Sequence, residues 1–491
     1  MEIPSPLEEV YDYLSVYNRR FLQYVDETPG GTEREVYQDL FKVDTYLIHM
    51  QPWPVFVSRR TLAEIEEVTV KVFQLLKSIP FRVFGGDYQK ISDYYEIPGQ
   101  LVKYFLDGVT QWDIDNLLAR GDYIMSPSGL KCIEYNVNTN LGGMETALWQ
   151  PAFRSVPIIR RFLKQQNLEL DNRELVVSMF RHIIENVLEF FGPSRDPVNV
   201  AYVMPSVGDA RMDNAIKVFM ETMFNKALAA VRPGLRGTFT YSDYAGFNAT
   251  ADGVFFQGTR IHALVEIYMG YVPPEILDVF RDNRVLIYNG TTTWFMSTKL
   301  NFAVLSEHED SDIFTPEERE TIKKHIPWTR KVADTRTTFR GKEIDLLDFI
   351  YRNRENLVLK PEVGSGGKDI FVGNKTSETE WKQMVQKSLN CTNHLRNEVV
   401  GERLSREQWN LLMDKALNME QWLVQERVES YPFIFQHGED GYEPHDGAWG
   451  FFVFGGHAIA GWTRVLPQAN EKGVVNAHQG AEMAMIIEVD E

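Results

Sequence analysis

The chain has 491 residues, 44% hydrophobic and 24% charged, which excludes collagen-like, mucin-like and largely disordered proteins and supplies core for about two to four domains. Asp and Glu number 69 against 51 Lys and Arg, a net charge of −18, which opposes wrapping a nucleic-acid backbone or docking on an anionic membrane. Cys132 and Cys391 supply neither a disulfide framework nor a zinc set, the first residues carry acids where a signal peptide carries lysines, and no apolar run reaches the roughly 18 residues of a membrane span; the expectation is a cytoplasmic protein in a reducing compartment.

In chain order, apolar residues at helical spacing predict aromatic-faced helices over Pro6 to Tyr24 and Ser58 to Ile79. Residues 120 to 143 change to an alternating polar pattern with a turn signal in the middle. From Pro197 the pattern is strand (VNVAYVMPS), helix (Met212 to Val231), strand (GTFTYSDY), a hairpin turned around Gln257 and Gly258, and a strand near RVLIYNG, together a small α/β unit. Residues 308 to 345 are charge-rich and read as a surface helix, started by Thr315, Pro316 and Glu318, and a linker. Beyond them come a strand with a Gly-rich turn (357 to 373), a helix (Glu378 to Leu389), a second helix (Ser405 to Leu417), and strands at 422 to 428 and 448 to 465. Aromatic residues at 11 to 56 and 241 to 247 read as core.

Four segments carry chemistry. In LVLKPEVGSGGKDIFVG a strand delivers Lys360, and Gly364, Ser365, Gly366 and Gly367 follow; small residues let backbone N–H groups approach a polyphosphate while the lysine supplies charge. The spacing is not that of a Walker A loop, and alone the segment is also an ordinary hairpin connector. In RGDYIMSPSGLKCIEYNVNTN, alternation puts Glu134, Asn136 and Asn138 on one face and Ile133, Tyr135 and Val137 on the other. A three-residue turn at Pro127-Ser128-Gly129, with Gly129 left-handed, sets Asp122 opposite Glu134 and Arg120 opposite Asn136; a four-residue loop sends Asp122 to the other face. Two carboxylates and an amide in one plane suit Mg²⁺, although a solvated face paired with Arg120 or Lys131 fits the same residues. Cys132 alternates with Glu134, shares its face, and reads as a packing residue. WLVQERVES ends a strand in Gln425 and Glu426, and GFFVFGGHAIAGWTRV forms two strands joined at Gly455-Gly456 that deliver Arg464.

In this set and order the chain resembles the circularly permuted ATP-grasp proteins related to glutathionylspermidine synthetases. Arg120, Asp122, Glu134 and Asn136 match the metal hairpin, which here precedes the nucleotide half matched by Lys299, Lys360, Gly364 to Gly367 and Gln425 to Val428. The helical spacing sets apart an N-terminal helical segment (1–55); from there on the resemblance implies a mixed α+β and α/β architecture: the metal and substrate half of the grasp (56–196), a small Rossmann-like pre-grasp domain (197–290) and the nucleotide-binding half (291–491). It implies a ligase joining a small-molecule carboxylate to an amine through an acyl phosphate, releasing ADP and phosphate, with ATP and two Mg²⁺ ions. Asp122, Glu134 and Asn136 would then hold Mg²⁺; Lys299 and Lys360 would neutralise the α and β phosphates; Gly364, Ser365, Gly366 and Gly367 would close over the β and γ phosphates. Gln425, Glu426 and Val428 would serve adenine and ribose, Arg120 the tetrahedral oxyanion, and Arg464 a phosphate. The sequence after Gln479 and Gly480 is too short for an amidase domain, and the resemblance admits a homodimer. A phosphotransferase on the same grasp keeps the nucleotide residues but releases a phosphorylated product; a non-catalytic nucleotide-binding scaffold would have shed metal ligands.

Overall fold

The structure, a computed structural model, describes residues 5–28, 51, 53–138, 141–142, 153, 156–169, 174–266, 270–364, 366–390, 401, 403–418, 421–437 and 441–491. The expected first helix is two, Ser5–Leu14 and Tyr17–Glu27. Ser15 interrupts it: its buried hydroxyl accepts from the Tyr17 backbone N–H, the local side-chain bond by which serine competes with helix continuation. Phe21 on the second helix packs edge-on to Trp53 and Phe162.

A four-residue strand absent from the sequence reading, Val55–Ser58, pairs in parallel with Ile486–Val489 and ties the two ends of the chain together. Ser58 then caps the helix Arg59–Arg82, its hydroxyl accepting from the Thr61 N–H. The buried stripe of this helix, Leu62, Ile65, Thr69, Val72, Phe73 and Leu76, packs against a six-stranded sheet. In that sheet, strand Leu118–Ser126 lies between Gly129–Asn136 and the long strand Gly441–Phe454, followed by His457–Pro467 and Glu482–Ala484; Phe433–His437 pairs with the first part of the long strand. One sheet thus joins residues more than three hundred positions apart.

The segment from 197 forms a four-stranded all-parallel sheet, in the order Leu286–Tyr288, Ala263–Glu266, Val198–Val203, Gly237–Ser242. All six residues of Val198–Val203 are buried, as a parallel strand covered on both faces requires. Helix Ala210–Val231 makes the crossover to Gly237–Ser242, and the hairpin at Gln257-Gly258 forms with both residues at positive φ.

The stretch read as a helix and linker contains more. Helix Pro316–His325 has the Thr315–Glu318 capping box, but Thr329–Lys331 beyond it is an edge strand of a four-stranded antiparallel sheet with Trp422–Glu426, Leu357–Pro361 and Phe371–Val372. Its polar sequence concealed it. Arg330 is buried because its guanidinium donates to the hydroxyls of Ser306 and Thr337 and to the Thr329 and Thr338 carbonyls. A compact second core, including Trp328, Leu359, Trp381 and Trp422, backs this sheet, and the main core backs the six-stranded one. The cleft between the two sheets holds the residues described next. No described helix is long and apolar enough to cross a membrane.

Candidate active site

The hairpin places Asp122 opposite Glu134 and Arg120 opposite Asn136, but by a different route from the three-residue turn. Ser126 pairs directly with Gly129, so the loop has two residues, Pro127 and Ser128, with Gly129 at φ +94° beginning the return strand. That register alone would set Asp122 opposite Ile133. A bulge between Tyr123↔Cys132 and Asp122↔Glu134 adds the missing residue. It also changes the faces: Ile133 joins Glu134 on the cleft side, and Cys132, expected beside Glu134, is turned into the core. Burial pushes the Cys132 thiol well above its ordinary range, so it is a protonated packing group.

Asp122 is nearly fully buried between two arginines. Arg120 donates to both carboxylate oxygens (2.8 and 3.1 Å) and Arg464 Nη2 lies 2.8 Å from Oδ2, while the Asn136 amide nitrogen is 3.4 Å from the same oxygen. Burial pushes this carboxyl up, yet Arg120 and Arg464 outweigh it and hold the group below the usual carboxylate range. Both guanidinium groups sit over Trp462, 5.5 and 5.7 Å from the ring centroid. The indole has room because the strand beneath it carries Gly450, where a Cβ would come within 2.3 Å of Trp462 Nε1. Trp462 went unremarked in the sequence although it alternates with Arg464; period two from Arg464 leads to it.

Across the cleft, Lys360 is 6% exposed at the end of Leu357–Pro361. Its ammonium donates to Gln425 Oε1 at 2.7 Å and lies 3.4 Å from the Ile133 carbonyl, on the bulge. Burial lowers its pKa to about 8 against the opposing pull of Glu134. Lys299, also buried, pairs with Glu134 at 3.3 Å and donates to the Gly364 carbonyl at 3.1 Å. The inner cleft therefore sets four cations, Arg120, Arg464, Lys299 and Lys360, against two carboxylates, Asp122 and Glu134. That surplus suits a polyanion.

All these side chains line one cavity of about 890 Å³. Gly364, Gly366 and Gly367 form part of its wall; Ser365 lies outside the described residues. At Gly367, φ is +69° and a Cβ would stand 2.8 Å from Val474 Cγ1; at Gly366 it would stand 2.9 Å from His478. The glycines thus let this loop lie directly against residues 474–479, and Gln479 Nε2 reaches the Gly366 carbonyl at 3.3 Å. Val428 and Glu426 line the far end, Glu426 paired with Arg340 at 2.7 Å. Gln425 lines the same cavity, and its side-chain amide bonds to Lys360 and to Thr329 Oγ1, 3.0 Å away. Asp446, Lys368 and Lys375 complete the rim and were not singled out from sequence.

The site fits a hard cation in part. Among the described residues no three His, Cys, Asp or Glu side chains gather as a metal cage. Glu134, partly exposed to the cleft, and Asn136, whose nitrogen is turned to Asp122, offer the carboxylate and amide oxygens that Mg²⁺ takes; Asp122 is committed to its arginines.

No protein-family profile and no curated protein sequence matches the chain. Among solved structures it is similar to a glutathione synthetase-like effector from Globodera pallida in its apo form, 12% identical, with a TM-score of 0.51 over 97% of each chain. The fold is glutathione synthetase-like.

Proposed function

We propose that this chain is an ATP-dependent carboxylate–amine ligase that forms an amide through an acyl phosphate and releases ADP and phosphate. The observation that carries the reading is the buried cation set facing one cavity between the two sheets. Lys299, Lys360 and Arg464 are buried and Arg120 is largely so, and unlike the buried Arg330 they turn to the cavity, where their positive charge exceeds that of Asp122 and Glu134 and suits a polyphosphate. The chain order, hairpin first and lysine–glycine segment later, with the hairpin inserted beside Gly441–Phe454, supports a circularly permuted grasp.

On this reading Lys299 and Lys360 hold the nucleotide phosphates, and the 364–367 loop contributes backbone N–H groups above them. Arg120 and Arg464, fixed by Asp122 and Trp462, present guanidinium groups to the acyl phosphate and to the oxyanion formed when the amine attacks; charge develops there and is met by donors that need not reorganise. Mg²⁺, held by Glu134 and Asn136 with the ligand's own phosphates, would neutralise charge on the transferring group. No protein nucleophile is required, and Cys132 is unsuited to be one.

The test is product analysis with Mg²⁺-ATP, a panel of carboxylic acids and hydroxylamine. ADP, phosphate and a hydroxamate are expected. AMP with pyrophosphate would overturn the acyl-phosphate mechanism, and a phosphorylated product without amide would make the chain a phosphotransferase.

A further inference from the structure

Gln425 sits on an inner strand of the four-stranded sheet, directly opposite Thr329 on one side and Val358 on the other, and diagonally from Lys360. It is 2% exposed and Thr329 is fully buried. The chemistry of the neighbours fixes the amide's orientation. The Thr329 hydroxyl donates its proton to the Pro327 carbonyl at 2.8 Å, so its oxygen can only accept, and the Gln425 NH₂ must face it. The Gln425 oxygen is thereby turned to Lys360, an ammonium that can only donate. Thr329 is itself anchored, its backbone N–H donating to Ser306 Oγ at 3.1 Å. On the opposite side of Lys360 stands the Ile133 carbonyl of the hairpin bulge.

We infer that Thr329 and Gln425 are positioning residues that hold the Lys360 ammonium, charged and aimed, against the bulge carbonyl of Ile133, and that Gln425 acts through Lys360 and not by touching a nucleobase. The relay joins the two sheets: Thr329, Gln425 and Lys360 belong to one and Ile133 to the other, so the lysine bridges the cleft it serves. Without the Gln425 oxygen the buried ammonium loses its closest acceptor, and its charged form becomes less favoured. That Lys360 then meets phosphate rests on the ligase reading above; the relay does not.

Two measurements decide it. In the ligand-free protein, the titration of Lys360 is followed by pH-dependent acetylation with acetic anhydride and mass spectrometry of its peptide. Gln425→Leu should move the midpoint down by about one unit. Thr329→Val should move it in the same direction and Thr329→Ser should restore it; loss of folding, which releases the lysine from burial, would move the midpoint up and cannot produce these downward shifts. Gln425→Glu should move it up in a variant whose urea unfolding matches the parent. A midpoint unchanged in all four variants overturns the relay. Calorimetry then compares ATP with adenosine: Gln425→Leu should weaken ATP about tenfold or more and leave adenosine within about twofold. Equal losses for both would return Gln425 to the base and refute the inference. A parent protein that binds neither would sink the ligase reading, while the titration still decides the relay.

Discussion

Replacing Asp122 by Asn separates two accounts of this carboxylate through the sign of a stability change. In the structure it is the counter-ion of Arg120 and Arg464, with contacts of 2.8, 3.1 and 2.8 Å, and all three side chains are largely withdrawn from water. Removing one member of a buried ionic set strands the others: the expected loss is about 3–5 kcal/mol for an abrupt truncation. Asn keeps the shape and one accepting oxygen, which reduces the loss to about 2–3 kcal/mol. The variant cavity carries one more unbalanced positive charge, so phosphate or sulfate should recover part of the loss, and more of it than in the parent. Because the folded carboxyl is held below its ordinary 3.8, its contribution is present above that pH and lost as pH falls further. Urea unfolding at pH 7 in EDTA, with and without phosphate, reads both effects. If Asp122 served chiefly as a metal ligand beside Glu134, removing its charge without metal would relieve repulsion, and stability would hold or rise. That outcome would refute the arginine-clamp reasoning.

Gly367→Ala adds a Cβ 2.8 Å from Val474 Cγ1 at φ +69°, so the loop must leave residues 474–479; ATP affinity measured by calorimetry should fall about tenfold, with about 1–2 kcal/mol of stability lost. Lys360→Ala should weaken ATP binding and turnover together, whereas Glu134→Gln should lower kcat by about a hundredfold with a smaller change in binding, and steady-state kinetics with parent-like kcat for Glu134→Gln would count against the metal role. His262, 3% exposed, accepts the Asn199 N–H at Nδ1, and burial with Arg195 and Arg260 nearby lowers its pKa from 6.5 to about 4. The unfolded state then binds more protons between those values, so stability should decline as pH falls from 6.5 to about 4, by about 3 kcal/mol from this group. His262→Gln should flatten that slope in pH-dependent unfolding.

The sequence by itself determined what depends on neighbours within a few positions. The largely apolar run Val198–Val203 reads as a buried strand, the Thr315–Glu318 box marks a helix start, and Gly366 and Gly367 announce a close backbone approach without naming what approaches. Tertiary structure decided what no local pattern encodes. Leu130 to Tyr135 are all acceptable strand residues, so nothing in them marks Ile133 as the bulge; only pairing with Leu118–Ser126 and the pull of Lys360 from the other sheet set it there. Thr329–Lys331 reads as polar linker because its burial depends on Ser306, Thr337 and Gln425, supplied from elsewhere in the chain. Gln425 has the composition of a ligand-facing residue, and its partners Thr329 and Lys360 stand 96 and 65 positions away. An amide has two ends, and which end faces a lysine is settled only when the groups on both sides have been folded against it.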